Sequence, residues 1–306
     1  MLKFGIYNKK QLRKKDLGNF WNKRKFIAID LYPELKNIDK SQALKWEEII
    51  LKKFSLSNGV YKRTSLNRFP EFNQKIINFL NKNFPKNKKL KIHDTAVSDG
   101  RTAVDFFHQL LKNSLHSFQY YASDKDSEIF IYQKGRLKIA RDEKGNLLQI
   151  IFPPFVFNTT KPENSYLYPL NKLVKFIIKK VYKNFLKNSK QTGVKKIKLF
   201  SYLAIETEKK YKNFQFLNYD LTKKTDKKFD VIRAMNVLNT SYFKNQTAQQ
   251  IINNLKESLE EEGLLIIGSN QGANTRVDGA IFKKTKDNNL KIEKEFGNGP
   301  QFKELF

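Results

Sequence analysis

The sequence predicts an α/β protein whose mostly parallel sheet is covered by helices on both faces. Two observations carry that prediction. From residue 89 onward, short apolar runs alternate with stretches of helical periodicity. The last of them, "AIFKKTKDNNLKIEKEF", folds back over Asp287-Asn288-Asn289 as an antiparallel hairpin.

Residues 1–65 are mixed in character, with one helical patch at 41–53 and Ser41 as its expected cap. From Pro70, Phe72, Ile76, Ile77, Leu80 and Phe84 recur at helical spacing until Pro85 stops the pattern. "KLKIHD" (89–94) reads as a strand, "AVDFFHQLLKNS" as a helix and "FQYYASD" as the second strand. The stretch 129–152 then alternates apolar and polar residues around Gly135 and Lys144-Gly145-Asn146, which predicts a hairpin or small meander. Residues 167–186 form an amphipathic helix. Its stripe is Leu170, Leu173, Val174, Ile177, Ile178, Val181 and Phe185, with lysines opposite. "FQFLNYDL" (214–221) and "KFDVIRAMNVL" (228–238) are strands, 247–262 is a helix ended by Gly263, and "LLIIGSN" (264–270) is another strand. The expected organisation is an N-terminal helical extension over 1–88 and an α/β domain over 89–306. A hairpin-plus-helix insert is expected near 129–190 within it.

With 306 residues and 40% hydrophobic content, the chain has room for one large domain with an appendage. No apolar run approaches the eighteen residues that span a bilayer, and the charged N-terminus lacks the apolar core of a secretory signal. Cysteine is absent, which excludes disulfide and thiolate chemistry and suits a cytoplasmic setting. A net charge of +29 attracts polyanions, but it comes from 50 Lys and only 9 Arg. Codon composition accounts for lysine excess as readily as function does, and nucleic-acid readers favour arginine's planar fork. Ten lysines and no acid lie between Glu163 and Glu206, so the 170–198 segment is the place to expect an anionic partner, a lipid surface or RNA. A helix packed on the sheet with a solvated basic face is the plainer alternative. The three histidines show no metal spacing, and "FPPFVFN" (152–158) reads as a stiff turn.

In an open α/β sheet, ligands lie beyond the carboxyl ends of the strands. Four strand ends carry polar features. After the first, small residues alternate at Ala96, Ser98 and Gly100, where a ligand can approach the backbone. By itself this pattern equally suits a tight strand–helix turn capped by Ser98 or Asp99. Asp124 ends the second strand, 24 residues after Gly100, and is placed to accept both hydroxyls of a ribose or to cap a helix. Asp220-Leu221 follows the third, where an acid can meet an adenine amino group. Asn236 follows the fourth.

In that order the motifs resemble those of class I S-adenosylmethionine-dependent methyltransferases, and most of all the CheR-type branch. Ala96-Val97-Ser98-Asp99-Gly100 matches the branch's Ala-x-Ser-x-Gly loop, "SDKDSEIF" its acid-bearing segment, and "FDVIRAMNVLNTSYF" its Arg-Asn-Val…Tyr-Phe stretch. Met235 departs from the pattern by replacing the usual Arg, and two extra residues precede Tyr242-Phe243. The resemblance covers about 89–275 and implies a Rossmann-like three-layer sandwich that uses S-adenosyl-L-methionine. It implies that Ala96, Ser98 and Gly100 adjoin the methionine part and that Asp94 reaches the cofactor through water. It further implies that Asp124 binds the ribose, Asp220 and Leu221 flank the adenine, and Asn236 lies under the sulfonium, with Tyr242 facing the acceptor. It names no catalytic base. The expected function is methyl transfer to a small molecule, lipid or protein carboxylate. An RNA methyltransferase and a non-catalytic scaffold of the same fold are the alternatives.

Overall fold

A computed structural model of the chain describes residues 2–4, 12, 28–57, 59, 62, 64–159, 176, 177, 180, 182, 183, 185, 194–270 and 276–306. The chain divides into two compact units, Met1–Arg63 with Glu128–Tyr202, and Thr64–Ser127 with Leu203–Phe306. This division differs from the expected boundary after residue 88. The helix at 70–83 belongs to the second unit, and the insert belongs with the N-terminal residues.

The first unit is built on a six-stranded antiparallel sheet. Its strands are β1 (Leu2–Phe4), β4 (Glu128–Lys134), β5 (Leu137–Asp142), β6 (Leu147–Phe152), β7 (Phe155–Asn158) and β8 (Val194–Lys198). They lie in the order β1-β7-β6-β5-β4-β8. The insert is therefore a four-strand meander with two further strands, more than a hairpin, and β1 makes the N-terminal region more than helical. The Pro153–Pro154 peptide is cis and forms the β6–β7 turn, so of "FPPFVFN", read as a stiff turn, only the prolines turn and Phe155–Asn158 is strand. One core of this unit gathers Ile129, Ile131, Ala140, Leu148 and Ile197 of the sheet with Leu35, Trp46 and Ile50. Trp46 and Ile50 stand on helix α1 (Lys40–Lys53), whose cap is Asp39 and not Ser41. The Asp39 side chain accepts from the Ser41 and Gln42 amides. Of the amphipathic stretch 167–186, only 176, 177, 180, 182, 183 and 185 are described, all helical. Phe185 packs with Ile139, Ile150 and Phe157, whereas Ile177, placed in the same stripe by its spacing, is exposed. The rest of that stripe lies outside the described residues.

The second unit holds the mainly parallel sheet. It comprises β2 (Leu90–Thr95), β3 (Phe118–Asp124), β9 (Phe214–Asn218), β10 (Phe229–Met235), β11 (Leu259–Ser269), β12 (Asp278–Lys284) and β13 (Leu290–Phe296). The order is β13-β12-β11-β10-β2-β3-β9, parallel from β9 to β11 and antiparallel at β12 and β13. Helices α2 (Pro70–Asn83) and α3 (Arg101–Asn113) cover one face, and α5 (Asn245–Glu257) the other. A short helix, α4 (Tyr202–Lys210), escaped the sequence reading because its apolar periodicity is weak. Along β10, Ile232 and Ala234 join the core that α5 completes, while Arg233 points to the α2/α3 side. That alternation makes three layers.

One boundary is corrected. Helix α5 stops at Glu257, and Glu260–Gly263, read as its last turn, lies inside β11. Glu262 takes a left-handed φ of 62° there, and the register jumps from Phe229↔Leu259 to Val231↔Leu264. The excursion absorbs four acidic or small residues that periodicity alone assigns to the helix.

From β2 the chain moves outward through β3 to β9, then returns to β10 on the other side of β2. The order thus reverses between β2 and β10, and the crevice for a ligand opens at their carboxyl ends.

Candidate functional site

The loop from β2 to α3 is the centre of this crevice. Ala96, Ser98 and Gly100, the three small residues picked out by their alternation, all take left-handed conformations with φ of 55°, 58° and 82°. Val97, Asp99 and Gly100 are buried, whereas Ala96 and Ser98 are half-buried. Left-handed backbone costs an L-residue roughly 1–2 kcal/mol, and the structure offsets it with hydrogen bonds. The Val97 amide donates to Ser123 O (3.0 Å), and the Ser98 amide to Asp124 Oδ2 (2.8 Å). Gly100 is required sterically: a Cβ there would lie 3.0 Å from Ala204 Cβ and 3.3 Å from the Phe216 ring.

Asp124 stands half-buried at the end of β3 and ties that strand to the loop. Its Oδ2 accepts from Ser98, and its Oδ1 from the Asp126 amide (3.1 Å). Neither Ser98 nor Asp99, the expected caps, is the N-cap of α3. The N-cap of that helix is Gly100, with no side-chain cap, and Asp99 Oδ1 accepts from the Arg101 amide (3.2 Å). Asp220, beyond β9, closes a turn by accepting from the Thr222 amide and hydroxyl (3.1 and 2.8 Å), with Lys125 Nζ 3.8 Å away. Leu221 beside it is buried. Asn236 follows β10 with φ 56° and exchanges hydrogen bonds with Asn270 after β11 (3.1 and 2.9 Å). It holds two strand ends together at the crevice. Tyr242 is exposed. All these residues belong to the second unit and come from the ends of β2, β3, β9 and β10 or the loops just after them.

Asp94, which the resemblance links to the cofactor through water, is the last residue but one of β2. It is buried in β2, and its Oδ2 accepts from Arg233 Nη1 (2.6 Å) and the Tyr120 hydroxyl (2.7 Å). Burial raises its pKa against the opposing pull of Arg233. Arg233 also donates to Asn73 Oδ1 on α2 (3.1 Å) and lies over the Phe106 ring of α3.

Sequence reasoning missed the arginines. Arg101 Nη1 donates to Thr64 O (3.2 Å) and lies 3.7 Å from Asp99, while Asp99 in turn accepts from the Thr64 amide and hydroxyl. This clamp fixes the 64–69 segment beside the loop, helped by the Asn67 amide donating to Asp105 (2.6 Å). Arg68 rides on that segment, half-buried against Phe69, and interacts with the Tyr242 phenol. Burial lowers its pKa, and Tyr242 opposes that shift. Among the described residues Arg68 has no hydrogen bond or acidic partner. A usable signal was present: where lysine is the default cation, each arginine is a departure.

His93 is packed in the core, buried between Tyr219 and Phe229, with Nε2 2.7 Å from Ser123 Oγ. Burial, seconded by Lys227, lowers its pKa to about 3, so it is neutral. His108 lies within α3 as expected.

The set present fits an adenosyl sulfonium cofactor. Acids stand at the ends of β3 and just after β9, as Asp124 and Asp220, and small residues occupy 96, 98 and 100 of the loop between β2 and α3.

Residues 161–289 match the family model for the CheR methyltransferase, SAM binding domain. That span takes in Asp220, Leu221, Asn236 and Tyr242; the loop at 94–100 and Asp124 lie before it. No curated protein matches the sequence. Among solved structures, the chain is similar to the CurJ carbon methyltransferase at 12% identity and a TM-score of 0.36, over 67% of this chain and 35% of that one. It is similar to the N-methyltransferase NodS from Bradyrhizobium japonicum WM9, solved with S-adenosyl-L-homocysteine, at 10% identity and a TM-score of 0.33, over 73% and 71%. It is also similar to the sugar N-methyltransferase KedS8 from Streptoalloteichus sp., at 8% identity and a TM-score of 0.33, over 71% and 53%.

Proposed function

From the premise that this chain carries a class I S-adenosylmethionine-dependent methyltransferase domain, most similar to the CheR-type branch, we propose that it transfers a methyl group to an acceptor bound beside Tyr242. S-adenosylmethionine is its cofactor. The observation that supports the assignment of the site is the run of left-handed residues Ala96, Ser98 and Gly100, anchored by the Asp124 carboxylate.

When bound, the cofactor supplies a methyl group already activated on a sulfonium. The protein's task is then to align and desolvate the partners, and orientation alone contributes on the order of 7–11 kcal/mol. In this reading the backbone of 96–100 lies along the methionine part, and Arg68 meets its carboxylate. Asp124 accepts from the ribose hydroxyls while it also holds Ser98. Asp220 and Leu221 flank the adenine, and Asn236 lies under the sulfonium. Asp94 acts behind the site, through its pair with Arg233. No side chain is assigned as a catalytic base. A small molecule, a lipid and a protein carboxylate all remain acceptors consistent with the fold.

Titration calorimetry with S-adenosylmethionine tests the site. Wild-type protein is expected to bind, and Asp124→Ala to lose binding while its circular dichroism is unchanged. Because Asp124 also anchors the loop, Asp124→Asn is a needed control, and it should fall between the two. Undiminished affinity in Asp124→Ala would falsify the ribose assignment.

A further inference from the structure

The turn that carries Asp220 is held from one side by helix α5. Four successive carbonyls, of residues 220 to 223, each accept a hydrogen bond. The outer two are satisfied locally: the Lys223 amide donates to Asp220 O (2.9 Å) and the Tyr219 hydroxyl to Lys223 O (3.1 Å). The middle two look to the helix. Asn254 Nδ2 donates to Leu221 O (2.9 Å) and Gln250 Nε2 to Thr222 O (2.9 Å). Lys224 Nζ, 3.0 Å from Glu257 Oε2, adds a third tie further along α5.

Positions 250 and 254 are about one helical turn apart and share a face, while Ala248, Ile251, Ile252 and Leu255 enter the core. Asn254 is buried, and its side-chain amide meets a carbonyl that would otherwise lack a donor. Asparagine is a poor helix former and a buried amide is costly unless paired, so this contact has to offset both. Thr222, whose carbonyl Gln250 holds, donates in turn from its amide and hydroxyl to Asp220 Oδ1 (3.1 and 2.8 Å). The contacts therefore run unbroken from the helix to the carboxylate.

We infer that Gln250 and Asn254 are positioning residues for the nucleobase. By fixing the turn they set the place of Asp220, and with it a preference for adenine over hypoxanthine. The inference rests on the reading of Asp220 and Leu221 as the flank of the adenine. Adenine presents an amino donor where hypoxanthine presents a carbonyl oxygen. A carboxylate held in place accepts from the first and repels the second, whereas one on a loose turn relaxes toward water and loses the distinction.

Calorimetry of the full chain with S-adenosylhomocysteine and S-inosylhomocysteine tests it. Wild-type protein is expected to prefer the adenine ligand by about tenfold or more, the worth of one charged hydrogen bond. Asn254→Asp and Gln250→Glu keep the side-chain size but turn an acceptor toward each carbonyl. Together they should reduce the preference below about threefold, mainly by weakening the adenine ligand. A general loss of stability would weaken both ligands alike and leave the ratio unchanged. Gln250→Lys, which restores an N–H donor, should keep the wild-type ratio. Should variants at the buried Asn254 fold poorly, Gln250→Glu carries the test at an exposed position, with a loss of about threefold that Gln250→Lys does not show. An unchanged ratio in folded Gln250→Glu would overturn the inference and leave the adenine reading standing. Wild-type protein that binds both ligands equally, or neither, would overturn that reading and this inference with it.

Discussion

Asp94 and Arg233, side by side on the parallel strands β2 and β10, form a buried ion pair with Oδ2 and Nη1 2.6 Å apart. The pair lies where the strand order reverses; the Tyr120 hydroxyl donates to Asp94 and Arg233 donates to Asn73, while Arg233 Nε is buried with no hydrogen-bond partner among the described residues. Breaking a buried pair from one side costs about 3–5 kcal/mol, because the remaining charge has no partner and little water. Arg233→Met is therefore expected to lower the urea midpoint sharply. Adding Asp94→Asn should recover part of the loss, and a double-mutant cycle measures the coupling.

His93 makes stability depend on pH in the acid range. Its pKa is about 3 in the folded protein and about 6.5 in the unfolded chain. Between these values the unfolded state binds the extra proton, so stability rises with pH through the window and is lost as pH falls from about 6.5 toward 3. The slope from this group approaches about 1.4 kcal/mol per pH unit. His93→Gln should flatten the dependence between pH 4 and 6 in denaturant unfolding, by roughly that amount.

Gly100 combines a left-handed φ with close neighbours on two sides. Gly100→Ala should cost about 1–2 kcal/mol from backbone strain, and more where Ala204 and Phe216 must shift. Because the loop moves with it, cofactor affinity should fall alongside the denaturation midpoint, which calorimetry on the folded variant can read.

Thr64 is joined to the loop and the start of α3 through Asp99 and Arg101. Thr64→Val removes a hydroxyl donor to a fully buried carboxylate, a change expected to cost about 1–3 kcal/mol. It should also loosen the segment that carries Arg68. Faster amide exchange over 64–69 and weaker cofactor binding, with the rest of the exchange pattern unchanged, is the expected result. Unaltered exchange there would remove the clamp from the account.

Small residues alternating over 96–100 mark a loop of unusual backbone after the first strand, legible because its signal is local, and each of the three is left-handed. The parallel strands were equally legible, since each is a short apolar run bounded by turn residues. The arginines were not. Thr64 and Asp99 are 35 residues apart in sequence, and the hydrogen bonds that join them leave no periodic trace. Glu260–Gly263 misled for a related reason. Its charges continue the helix pattern, and only pairing with β10 decides that they belong to a strand.

Sequence alone determined the α/β alternation, the loop and the acids at successive strand ends, because periodicity, turn chemistry and residue size act over a few neighbours. Tertiary structure decided what those residues do for one another. It paired Asp94 with Arg233 in the buried interior between β2 and β10. It also gave the insert a six-stranded sheet by pairing β7 with Leu2–Phe4. Both outcomes depend on contacts between distant parts of the chain, where desolvation and backbone pairing choose among partners that local pattern leaves equivalent.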